Sequence, residues 1–238
     1  MKRLGRETSV YTADSKSWKL TNNNYLPGGV LSIFRGKIWS LINEEEVEQS
    51  KVGNWIAIPI QHNGKKVLFI NIYRIPVKST QGPWCSLTQY NVVEGNAKSS
   101  GEYRKEIFKE IKQYVNQKED IDDIIIAGDL NQNVNANEIR QFFTDLGVDD
   151  VHSRINRIEN KDLDKTQVPR SNPIDLIAAL EGLMEFIEGS KLLSHNEIVW
   201  SDHRAYVIDV NFEDYFNEEL SRWDNINHVI LDPAKRSY

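Results

Sequence analysis

The chain has 238 residues, 39% of them hydrophobic and 27% charged, which suits one large globular domain with a sizeable core. Its net charge of −6 argues against a binder living on non-specific nucleic-acid affinity, though less against a nuclease, which can recruit a metal to meet the phosphate locally. The single cysteine, Cys85, excludes an internal disulfide and a cysteine-cluster zinc site. No apolar run approaches the roughly 18–20 residues of a membrane span, and no apolar stretch follows Met1-Lys2-Arg3, so an intracellular location is expected.

Taken in chain order, residues 1–24 read as a polar lead-in without a clear period. Pro27-Gly28-Gly29 is a turn before the strand-like Val30–Phe34, and the alternating Lys37–Ile42 reads as a further strand. Trp55–Ile60 and Val67–Tyr73, separated by Asn63-Gly64, predict a hairpin. A long loop is expected over 74–100. Ser99 and Glu102 then have capping-box spacing, and Tyr103, Ile107, Phe108, Ile111, Tyr114 and Val115 form one apolar stripe of a helix.

Ile124–Ala127 is an unbroken apolar run, as in a strand buried on both faces. A second helix is predicted over Asn137–Leu146, stopped by Gly147. Residues 156–172 read as a charged loop, and 174–180 and 205–210 as the last strands. The domain is expected to occupy residues 25–210, with 211–238 as an extension. Many strands with interspersed helices suggest a layered α/β sandwich.

Three short motifs attached to these strands carry chemistry. Gly128-Asp129-Leu130-Asn131 follows the buried run, and two side chains spaced by two can face one cleft at the strand's end. Asp129 can hold a metal or take a proton from water, and Asn131 can orient water or phosphate. A plain turn explains the same residues. Ser201-Asp202-His203 precedes the last strand, where a histidine can stabilise a phosphorane if a partner fixes its ring. Asp175, a carboxylate in the apolar segment Pro173–Ile177, is the candidate partner. At the hairpin's end, Tyr73 and Arg74 could bind phosphate, or be a half-buried phenol and a surface arginine. His62, His152, His195 and His228 read as surface residues.

These motifs, with Tyr25-Leu26-Pro27-Gly28-Gly29-Val30 and Asn71-Ile72-Tyr73-Arg74-Ile75-Pro76, resemble the endonuclease/exonuclease/phosphatase (DNase I-like) superfamily, and most closely its non-LTR retrotransposon endonucleases. The resemblance covers roughly residues 25–210. It implies a four-layer α/β sandwich and an Mg²⁺- or Mn²⁺-dependent hydrolysis of DNA phosphodiesters. It also implies roles: Asp129 on the nucleophilic water, Asn131 on water and phosphate, His203 on the transition state with Asp175 orienting it, Tyr73 on phosphate, and Asp202 with Asp129 at the metal. A reverse transcriptase in the same polyprotein would be a natural companion.

The chain departs from this pattern at its start. The family opens on a strand ending in asparagine, then a Gln-Glu-Thr-like element whose glutamate is the main metal ligand. Only Glu7-Thr8 resembles the second, and it lies nearer Gly28-Gly29 than expected. The sheet is therefore expected to be incomplete at its first strand, with weakened metal binding, as in a fragment, a mis-started gene model or a decayed element. The rival functions are a superfamily phosphatase acting on a small phosphate ester and a degenerate, non-catalytic binding module.

Overall fold

The computed structural model describes residues 8–13, 29–76, 99–159, 165–167, 173–195 and 201–217. Its centre is a six-stranded sheet of order β3-β4-β5-β6-β8-β7, built from β3 (Glu48–Gln49), β4 (Trp55–His62), β5 (Lys65–Tyr73), β6 (Asp123–Asp129), β7 (Val148–Asp150) and β8 (Asp175–Leu180). β4 and β5 form the expected hairpin. Asn63 and Gly64 both take positive φ, +48° and +76°, the pair that a tight two-residue turn between twisted strands requires. β6 runs parallel to β5 and antiparallel to β8.

Alternate residues of these strands feed two cores. One lies under helix α1 (Ser100–Asn116) and helix α2 (Asn137–Leu146), where Leu68, Ile70, Ile72, Ile124 and Ile126 meet Tyr103, Ile107, Phe108 and Phe142. Phe108 stacks on Phe142 with ring centroids 4.0 Å apart. Ser99 Oγ accepts from the Glu102 amide to cap α1, and Gly147, at φ +73°, ends α2 in the left-handed conformation. Each buried side chain of this size contributes about 1.5–3 kcal/mol relative to an exposed one.

On the sheet's other face, Ile56, Ile58, Ile60, Val67 and Ile125 pack against two small hairpins. One pairs β1 (Thr8–Ala13) with β2 (Val30–Arg35); the other pairs β9 (Ile187–Leu192) with β10 (Tyr206–Val210). Helices α3 (Val151–Glu159), α4 (Glu181–Met184) and α5 (Phe212–Phe216) complete this side. The result is the mixed α/β sandwich expected from the sequence. Among the described residues the two hairpins are separate two-stranded sheets, with no strand joining them. Leu31 and Ile33 point outward from β2 and stay exposed. None of the described helices is long and apolar enough to cross a membrane.

Several local expectations are corrected. Thr8–Ala13, inside the expected lead-in, is a strand, because Ser9, Tyr11 and Ala13 alternate inward against β2. Gly36–Leu41 is a 3-10 helix rather than a strand: Gly36, at φ +75°, turns the chain, and Ile38, Trp39 and Leu41 are only half-buried. The segment read as a loop from residue 156 continues α3 to Glu159. His152 is buried, with Nδ1 3.2 Å from Ser190 Oγ and its ring edge-on to Tyr206, not a surface residue. Past residue 210, α5 belongs to the core, because Tyr215 and Phe216 are buried and Tyr215 Oη donates to Asp123 Oδ2 at 2.9 Å. Residues 77–98, Glu7, Pro27-Gly28, His228 and the segment 218–238 lie outside the described residues.

Candidate active site

The register of three neighbouring strands builds the site. Tyr73 at the end of β5 sits beside Asp129 at the end of β6, and Asp129 sits beside Asp175 at the start of β8. Neighbouring strands lie about 4.8 Å apart, so residues paired in register form a row across the sheet. Gly128 permits this closeness. Its φ is +152°, and a Cβ there would lie 1.8 Å from the Ile72 carbonyl oxygen.

After Asp129 the chain turns sharply. The Leu130 amide donates to the Ile174 carbonyl at 2.9 Å. Asn131, at φ +48°, donates its backbone N–H to Asp129 Oδ1 at 2.7 Å and its Nδ2 to Asp129 Oδ2 at 3.0 Å. These residues form a turn, in which one carboxylate organises the loop that carries its neighbouring amide.

His203 reaches the row from the other side. Its Nδ1 lies 3.0 Å and 2.9 Å from the two oxygens of Asp175. A carboxylate only accepts, so Nδ1 carries the proton and Nε2 faces the opposite way. The imidazole is held above its ordinary pKa, first by the Asp175 hydrogen bond, against burial, with the charges of Asp175, Asp129 and Asp202 adding. Asp202 is largely exposed; its Oδ1 stands 4.0 Å from His203 Nε2 and its Oδ2 accepts from Gln167 Nε2 at 2.8 Å.

Asp129, Asp175 and His203 each offer a ligand atom, all within 4.8 Å of one another. With Asp202 beside them, three carboxylates face one imidazole, an acidic surplus that a hard divalent cation would offset through oxygen ligands. Of the residues singled out from the sequence, Tyr73, Asp129, Asn131, Asp175, Asp202 and His203 are placed around one end of β5, β6 and β8. A separate cleft of about 830 Å³ opens between α2, β7 and α3, lined by Arg140, Phe143, Asp150 and Asn156, and contains none of them.

Arg74 is corrected: fully buried, it cannot reach a phosphate. Three supporting residues carried no clear signal in the sequence. The buried Thr166 hydroxyl accepts from the amides of Ile174 and Asp175 at 2.9 Å and 3.2 Å, fixing the start of β8. Arg204 donates to the carbonyls of Leu193, Lys165 and Leu192 and so fastens the segment carrying His203. Gln167 holds Asp202. Arg104 had a readable signal, since at helical spacing it falls on the same stripe as Phe108 and Ile111.

No protein-family model and no curated protein sequence matches the chain. Solved structures do. The endonuclease domain of TRAS1, a telomere-specific non-LTR retrotransposon, superposes with a TM-score of 0.53 at 13% identity, covering 87% of this chain and 81% of that one. A 3′-5′ exonuclease from Neisseria meningitidis gives 0.57 at 14% identity, covering 86% and 80%. An AP endonuclease from Archaeoglobus fulgidus gives 0.56 at 15% identity, with the same two coverages of 86% and 80%. The mixed α/β architecture and these superpositions agree: the chain has the fold of the endonuclease/exonuclease/phosphatase structures, the family its motifs resemble.

Proposed function

We propose that this chain is a divalent-metal-dependent phosphodiester hydrolase that nicks DNA, of the retroelement endonuclease type. The observation that carries the reading is the row Tyr73–Asp129–Asp175 across three strands, closed by His203 on Asp175. A carboxylate, an amide, an oriented imidazole and a phenol at one sheet end are what hydrolysis by water needs. The likeness in fold to a retrotransposon endonuclease domain supports the choice of DNA.

Asp129 is assigned to orient the attacking water and draw off its proton, and Asn131 to position that water and a phosphate oxygen. His203, held by Asp175 through Nδ1, presents Nε2 to the charge that develops on the phosphoryl oxygens. Tyr73 is assigned a hydrogen bond to the phosphate. Asp129 and Asp202 would hold Mg²⁺ or Mn²⁺, the second directly or through water, and the ion would supply charge to the phosphate oxygens. Among the described residues few oxygens serve this site, so millimolar ion is the appropriate condition.

The test is relaxation of supercoiled plasmid with Mg²⁺, with Mn²⁺ and with EDTA, beside hydrolysis of p-nitrophenyl phosphate. Metal-dependent nicking that His203→Ala abolishes supports the proposal. Turnover of the phosphomonoester alone replaces it with a phosphatase. Plasmid retention without cleavage, unchanged in His203→Ala, replaces it with a binding module.

A further inference from the structure

We propose that Arg74 and Arg104, joined through Gln132, are positioning residues that pin the Asp129–Gln132 turn in its working geometry, a role that rests on the function proposed above. Both arginines are buried, and burying two cations together is costly without a full set of partners. Arg74 donates Nε to the Arg104 carbonyl at 3.2 Å, Nη1 to Gln132 Oε1 at 2.7 Å and Nη2 to Glu138 Oε1 at 2.5 Å, with its guanidinium 4.1 Å from the Phe108 ring centroid. Arg104 donates Nη1 to the Ile75 carbonyl, and Nη2 to the Leu130 carbonyl at 3.2 Å and to Gln132 Oε1 at 2.7 Å.

Besides tying the end of β5 to α1 and α2, the bonds converge on one short turn. Asp129 O accepts from the Arg74 amide at 2.8 Å, Leu130 O accepts from Arg104, and Arg74 O accepts from Asn131 Nδ2 at 2.9 Å. Gln132 Oε1 accepts from both guanidiniums. Consecutive residues from Asp129 to Gln132 are thus each held from the same buried pair. Among the described residues Glu138 is the carboxylate in direct contact, which leaves positive charge behind the turn; burial lowers Arg104, and Glu138 and Asp129 pull it back up. An arrangement this expensive is explained by the rigidity it gives a carboxylate and an amide that must aim at one water.

Gln132 is the place to test this, because it is partly exposed and its removal leaves both arginines with their other partners. In Gln132→Ala, amide exchange at Leu130 and Asn131 should rise by about tenfold while Ile125 and Ile126 exchange as before. The kcat for plasmid nicking should fall by about tenfold with KM within twofold. Gln132→Glu, which can accept from both guanidiniums, should restore both readouts. Unchanged exchange in Gln132→Ala overturns the proposal, as does raised exchange with an unaltered kcat. A wild-type protein that nicks nothing, yet shows the exchange contrast and its rescue, refutes the assigned reaction and leaves the pinning intact.

Discussion

Replacing Asp175 by Asn separates the electrostatic part of the site from its shape. The carboxylate accepts from His203 Nδ1 through oxygens 2.9 Å and 3.0 Å away, and the two side chains are 17% and 26% exposed. A hydrogen bond to a charged group contributes about 1.5–3 kcal/mol, and this partial exposure places the pair near the lower end. For a chain of this size, about 1.5 kcal/mol lowers Tm by roughly 3–6 °C. The sign with pH follows from the raised imidazole pKa. The pair's stabilisation is full below the unfolded histidine pKa and lost as pH rises through the folded one, so the Tm deficit of Asp175→Asn should be largest near pH 6 and shrink towards pH 9. The direct assay is an NMR titration of His203 in EDTA-treated protein. In the variant the imidazole should titrate at lower pH, because its largest upward influence is gone, while nicking falls by about 10²–10⁴-fold. An unchanged His203 titration in Asp175→Asn would refute the reasoning.

Further predictions concern the frame around the site. Gly128→Ala should prevent normal folding or cost upwards of about 3 kcal/mol in a urea titration, since the new Cβ meets a backbone carbonyl between paired strands. Tyr215→Phe removes a buried hydrogen bond to Asp123, so about 1–2 kcal/mol should be lost while nicking per folded molecule stays at the wild-type rate. Ser99→Ala strips the α1 cap and should cost about 1 kcal/mol by the same titration. EDTA should stop nicking without unfolding the protein, as followed by circular dichroism, and added Mn²⁺ or Mg²⁺ should restore it.

The sequence was most legible where local pattern and tertiary context agree. Ile124–Ile126 alternate between the two cores, which is why the run shows no polar face, and Asn63-Gly64 takes the positive φ pair its turn demands. The helix α2 ends where Gly147 said it would. The site motifs were visible because each sits at a strand end. Legibility failed where apolar content is thin: β9 reads Ile-Glu-Gly-Ser-Lys-Leu and is held by its partner β10, not by propensity. Lys37–Ile42 alternates like a strand, yet Gly36 turns it into a helical turn. The burial of Arg74 could not be read from a strand end that looks exposed, because its partners Arg104, Gln132 and Glu138 are 30, 58 and 64 residues away. Thr166 gave no sign, since its importance lies in two amides it receives and not in its own surroundings.

Strand direction gives the site its evolvability. Because β8 runs against β6, a residue just entering one strand meets a residue just leaving the other. A parallel β8 would set Asp175 at the far end, about 20 Å from Asp129 over a strand of this length. The pairing of Asp129 with Asp175 is fixed farther along the strands by the half-buried pair Ala127 and Ile177 and the buried pair Ile125 and Ala179. As long as Thr166 keeps its hold on the start of β8, the connection entering it can lengthen, shorten or change composition without shifting the two carboxylates. Substrate preference is free to drift in the loops while the reacting groups stay in register.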